Sequence, residues 1–109
     1  MGHDIYGINK AGEEIAYARF NMWNSNASIL YNLLDSIKFH AGVSGSGEES
    51  TYTTQQIEKA LIDYFEIYGR GSANSKNSFD DYDLTQIHDF IKNCLLTSQK
   101  EGSVRVYFG

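Results

Sequence analysis

The chain contains no proline and a single cysteine, Cys94. One cysteine excludes an intramolecular disulfide and fits a reducing compartment. No run approaches the ~20 apolar residues that a bilayer-spanning helix needs, so no membrane partner is expected. Positive charge is scarce too: nine Lys and Arg stand against fourteen Asp and Glu, a net charge of −5. A protein that neutralises a phosphate backbone carries a basic stripe, and without one a long nucleic acid is not the expected partner. A local arginine pocket for one small anion is still compatible with this balance. His3, His40 and His88 are far apart, and no Cys/His cluster has zinc spacing. Asp80, Asp81 and Asp83 lack the glycine and the distal glutamate of a calcium loop. No metal, cofactor or catalytic set is therefore expected, and the chain reads as a non-enzyme. The opening Met-Gly-His-Asp-Ile-Tyr has neither the basic segment nor the apolar run of a secretory signal. The expected location is the cytoplasm, of a bacterium or of an infected host cell.

What is present is a globular composition. Apolar residues make up 41% and charged residues 21%, enough of the former to build a core without staples. With no internal repeat and no linker long enough to separate two units, residues 1–109 are read as one domain. Eight Tyr and six Phe exceed what a small core requires. Tyrosine joins a broad ring to a polar tip, so the surplus points to a binding or oligomer surface as much as to an aromatic core.

Two segments rich in Ile, Tyr and Phe flank Asn9-Lys10-Ala11-Gly12. Asn opening a type I turn, with Gly where φ turns positive, predicts a hairpin with strands at 3–9 and 13–21. Asn24, Ser25 and Asn26 offer caps for a first helix over 26–38, on which Leu30, Leu33, Leu34 and Ile37 recur at helical spacing. Residues 41–50 read as a flexible loop. Thr53 and Gln56 have the spacing of a capping box. Ile57, Leu61, Tyr64, Phe65 and Tyr68 then form an apolar stripe, and Gly69 offers a stop. A second polar loop runs over 70–80. A third helix follows, opened by Asp80, Asp81 and Asp83, striped by Leu84, Ile87, Ile91, Cys94 and Leu95, and closed near Lys100. Residues 104–108 alternate as a strand. The order β-β-α-α-α-β predicts an α+β fold: a three-stranded antiparallel sheet, hairpin plus C-terminal strand, with three helices on one face.

Strand alternation separates the two faces of that sheet. Ala16, Ala18, Phe20, Val104, Val106 and Phe108 suit packing under helices. Ile15, Tyr17, Arg19, Arg105 and Tyr107, joined by Tyr6 and Ile8, fall on the other side. Interleaved Tyr and Arg either reach across a half-wet sheet with stems packed and tips solvated, or meet another subunit, a partner protein or a planar anionic ligand.

The segment Gly42, Val43, Ser44, Gly45, Ser46 and Gly47 is the second candidate. Glycines let backbone N–H groups converge on an anion, and the Ser44 and Ser46 hydroxyls add donors. It lacks the Lys-Ser/Thr pair of a Walker A loop and the spacing of a dinucleotide fingerprint. It also fails the nucleophile elbow, since Ser46 occupies the place of the second glycine. Glu48 and Glu49 follow and oppose a phosphate unless turned away. The plainer reading is a flexible connection. His40, with Lys38 nearby, would complete an anion pocket, and Arg19, Arg70 and Arg105 are the cations able to reach it.

Gly2-His3-Asp4-Ile5, the run Ala41-Gly42-Val43-Ser44-Gly45-Ser46-Gly47 and the ending Val104-Arg105-Val106-Tyr107-Phe108-Gly109 carry a resemblance. The chain resembles a group of small bacterial and bacteriophage proteins that share this opening, loop and Phe-Gly ending. The group brings no activity or site residue with it; what the resemblance implies is a prokaryotic or viral origin. In size, acidity and aromatic content the chain is also similar to small oligomeric bacteriophage proteins that sequester nucleotide immune signals, although no motif is shared.

Together these readings predict a non-catalytic, homo-oligomeric binding protein for a small, anionic, phosphorylated nucleotide-like molecule. Its expected site is the 42–47 loop with His40, Arg19, Arg70, Arg105, Tyr6, Tyr17 and Tyr107. The alternatives are a protein–protein interaction module working through the Tyr/Arg face, and a small enzyme.

Overall fold

A computed structural model describes residues 2–69 and 78–109. The 70–77 part of the second polar loop, with Arg70, lies outside the described residues.

The hairpin forms as predicted, from β1 (His3–Ile8) and β2 (Glu14–Phe20). Its turn is closed by Gly12 N–H donating to the Asn9 carbonyl at 3.0 Å and Asn9 N–H donating to the Glu13 carbonyl at 3.0 Å. Gly12 takes φ +84°, which a side chain would resist.

The first helix is shorter than its periodicity implies. α1 (Ala27–Leu33) stops because Asp35 enters the left-handed region at φ 54°, and a 3₁₀ turn over Ile37–Phe39 follows. Asn26 precedes the helix without a side-chain cap. Its amide, like that of Asn24, donates instead to Asp83 Oδ2 at 2.9 Å.

The largest departure lies in the segment read as a flexible loop. Its end belongs to a fourth strand, β3 (Glu48–Thr53), so the sheet has four strands rather than three. Beyond it come α2 (Thr54–Tyr64), a π-helical turn over Phe65–Gly69, α3 (Ser78–Glu101) and β4 (Ser103–Phe108). The order is β-β-α-β-α-α-β, and the antiparallel sheet runs β2-β1-β4-β3. Only Tyr52 of β3 is buried, which is why the segment carries no alternating apolar signal.

The capping box of α2 is complete: Gln56 N–H donates to Thr53 Oγ1 and Thr53 N–H donates to Gln56 Oε1. Its stripe buries Ile57 and Tyr64, but the π turn leaves Phe65 half-exposed. Ile87, Ile91 and Cys94 bury the inner side of α3 against the sheet. Gly102, at φ +90°, turns the chain from α3 into β4.

The core is the side of the sheet occupied by Ile5, Ala16, Ala18, Phe20, Val104, Val106 and Phe108, together with the inward faces of the helices. Cys94 belongs to it, and burial pushes its thiol up to about 12. It is therefore protonated and inert at neutral pH. No described helix is long and apolar enough to cross a membrane.

Candidate functional site

Register decides what the other side of the sheet presents. Tyr6 is opposite Tyr17 on one side and Tyr107 on the other, so three tyrosines form a row across β2, β1 and β4. Ring centroids are 5.0 Å apart for Tyr6–Tyr17 and 6.1 Å for Tyr6–Tyr107. Tyr17, Arg19, Arg105 and Tyr107 all project to this side, while their neighbours in sequence point into the core. Ile15 does not join them. A bulge beside Gly7 and Ile8 turns it inward, with its Cδ1 and Cys94 Sγ crowding the place a Gly7 side chain would need.

Both arginines of this face are already matched. Arg19 Nη1 donates to Asp4 Oδ1 at 2.9 Å, and the Tyr17 hydroxyl donates to the same oxygen at 2.6 Å. The tyrosine hydrogen bond and, after it, the guanidinium hold the Asp4 carboxyl below its usual range. Arg105 Nη1 lies 3.5 Å from Glu49 Oε1, and Arg105 Nη2 donates to the Asn9 carbonyl at 3.2 Å.

The glycine-serine loop is a structural seam. Gly45 N–H donates to the Gly109 carbonyl at 2.9 Å, Ser46 N–H to Phe39 at 2.9 Å and Gly47 N–H to Phe108 at 2.7 Å. Gly42 N–H donates to His40 Nδ1 at 3.1 Å. The Ser44 carbonyl accepts from Ala41 N–H, closing a turn over Gly42 and Val43, and its hydroxyl donates to the Gly45 carbonyl. Four backbone donors foreseen for an anion are thus spent on the chain itself. Nor does the loop approach Arg105, which is opposite Ile8 and Thr51, whereas the loop enters β3 opposite Phe108. Lys38 rests its ammonium 5.2 Å from the Phe39 ring centroid.

His3 anchors this seam from β1. Its Nδ1 pairs with the Tyr31 hydroxyl at 2.9 Å, and its Nε2 donates to the Gly42 carbonyl at 3.1 Å. Burial lowers its pKa below 6.5, the Gly42 bond raises it, and neighbouring His40 lowers it again. Because the folded value is the lower one, the unfolded chain takes up the proton first as pH falls. Stability present above pH 6.5 is therefore lost as pH drops from there toward the folded value. Asp4, also depressed, takes more away as pH falls through the carboxylate range. The urea midpoint is expected to be lower at about pH 5 than at about pH 7.5, with the difference reduced in His3→Gln.

What the fold brings together at the end of β2 is a different set. The connector to α1 carries Trp23, the chain's one tryptophan, with 83% of its surface exposed. Trp23 lines an open cleft of about 870 Å³ together with Arg19, Asn21, Asn24, Asn26, Tyr82 and Asp83, among others. Tyr82 is 69% exposed. Trp23 also lines a second cleft of about 230 Å³, with His40, Gly42, Asn24, Ser25 and Ser28. Three of the predicted residues, Arg19, His40 and Gly42, thus line clefts that share Trp23. Asp83 clamps Asn24 and Asn26, fixing the connector to α3. The Gln86 side chain completes the attachment by exchanging two hydrogen bonds with the Arg19 backbone.

Sequence reasoning passed over Trp23 and Tyr82. The available signal was a tryptophan within a polar connector, Asn21-Met22-Trp23-Asn24, where neither strand nor helix periodicity explains it. Among the described residues no three His, Cys, Asp or Glu side chains gather as a metal-binding set. Compared with protein-family models, curated proteins and solved structures, the chain matches none.

Proposed function

We propose that the chain is a non-catalytic binding domain that holds a small, planar, nucleotide-type ligand in the cleft beside Trp23. The observation that carries this reading is the exposure of Trp23, which lines two clefts and shares the larger one with an exposed Tyr82. An indole left four-fifths in water forgoes much of the burial free energy available to it, and a stacked ring restores it. Asn21 supplies an amide for the polar edge of a base, and Asn24 and Asn26, each with one amide hydrogen on Asp83, keep a second hydrogen to donate. Arg19 stands at the rim with its side chain half-exposed, where a phosphate can share it with Asp4. Among the described residues the one carboxylate lining this cleft, Asp83, is engaged by two amides, which suits holding a ligand rather than transforming it.

Because Trp23 is the only tryptophan among eight tyrosines, fluorescence of the unmodified protein excited at the red edge, where tyrosine does not absorb, reports on this site alone. Titration with mono-, di- and cyclic nucleotides is expected to give saturable quenching, with the ligand recovered unchanged. Arg19→Gln is expected to weaken a phosphorylated ligand about tenfold or more and the matching nucleoside little, as for loss of a charge-assisted bond. Ser46→Ala, whose backbone N–H still reaches Phe39, is expected to leave affinity unchanged. Flat fluorescence across the panel from folded protein overturns the reading.

A further inference from the structure

We infer that the open face of the sheet seats a second copy of this chain. The inference rests on the tyrosine row and not on the cleft; Arg19 is the one residue that both use, and Tyr107→Glu tests the pairing without touching the cleft.

Three observations support it. The row Tyr17–Tyr6–Tyr107 lies on the side opposite the core, and Tyr17 is 42% exposed. Its rings already touch one another, so little side-chain freedom remains to be lost on contact. The second observation is charge. The chain carries −5, yet the row is flanked by two opposite-charge pairs, Arg19 with Asp4 and Arg105 with Glu49, which cancel. Glu14, opposite Ile8, stands beyond them toward the hairpin turn. A strongly basic partner finds only the Glu14 carboxylate in excess here, and a second acidic copy meets little repulsion.

The third is the pattern itself. With strand order β2-β1-β4-β3, a two-fold axis between β1 and β4 lays β1 over the partner's β4 and β2 over the partner's β3. Tyr6 then faces the partner's Tyr107, and Glu49 comes beside Tyr17 and Arg19 of the partner; each contact occurs twice. Four strands at about 4.8 Å and six residues at about 3.4 Å make a face of roughly 400 Å² per copy. The pair then buries about 800 Å², small for a specific interface, so the dimer is weak and reversible.

Sedimentation equilibrium of the full chain, from about 5 to about 500 µM, tests this. The expected result is a mass rising from one chain to two. Tyr107→Glu is expected to remain a single chain at every concentration with its circular dichroism unchanged. Glu49→Gln and Arg19→Gln are each expected to weaken association about twofold or more, and the double variant to lose less than the two losses combined. A wild-type chain that stays single throughout overturns the inference. So does a Tyr107→Glu variant that pairs as well as wild type, or a double variant whose two effects simply add.

Discussion

Phe108→Ala is expected to lower the stability of the domain by about 3–5 kcal/mol, the largest effect of any substitution considered. Phe108 is fully buried and stacks on Tyr31 with centroids 5.3 Å apart and on Phe39 at 5.0 Å. It also belongs to β4, which pairs with β1 on one side and β3 on the other. Truncation leaves a cavity among side chains drawn from α1, the 3₁₀ turn and the sheet, and these cannot close on it together. A domain of this size has only about 5–15 kcal/mol in total, so the variant stands near the folding threshold. Thermal unfolding followed by circular dichroism should show a midpoint about 15–25 °C lower. A shift of only a few degrees would mean that the stacked rings do not form the packed centre described above.

Gly45→Ala is expected to cost about 3 kcal/mol although it adds a single methyl group. A Cβ at this position would stand 2.6 Å from both the carbonyl carbon and the oxygen of Phe108, and 2.8 Å from the Gly109 carbonyl oxygen. These are backbone atoms of a paired strand, so neither can swing aside as a side-chain tip would. Relief requires the loop to withdraw, which stretches the hydrogen bonds from Gly45 and Gly47 to Gly109 and Phe108. The expected signature is a lower urea midpoint with an unchanged slope. Ser44→Ala, which removes one hydroxyl bond to a neighbouring carbonyl, should cost no more than about 1 kcal/mol. Equal effects from the two would contradict the seam. The pair also separates the two readings of the loop, because an anion cradle depends on its hydroxyls and a packed seam depends on its glycine.

These two substitutions bear on how the site came to differ from its expectation. A glycine- and serine-rich stretch has the same composition whether its amides wait for an anion or bond to the chain's own carbonyls. Gly45, Ser46 and Gly47 do the latter because Phe108 and Gly109 arrive beside them, and that arrival depends on the whole sheet being formed. His3 faces the helical layer, where it meets the Tyr31 hydroxyl, and fastens Gly42 to β1.

The amino-acid order by itself determined the local elements and their sidedness. The hairpin follows from Asn9 and Gly12, the start of α2 from Thr53 and Gln56, and the Tyr/Arg face from alternation along β2 and β4. Each is legible because its interactions join residues at most a few positions apart, or because burial of one face imposes a period on the chain. Tertiary structure alone decided the fourth strand, the seam and the cleft. Thr53 pairs with Ser103 and Glu48 with Phe108, so β3 exists only once β4 is in place. Trp23 and Tyr82 come from segments joined through Asn24, Asn26 and Asp83, contacts between residues more than fifty positions apart. Long-range pairing of this kind leaves no period in the sequence, since a strand with one buried residue and a cleft with polar walls need only meet the right surface after folding.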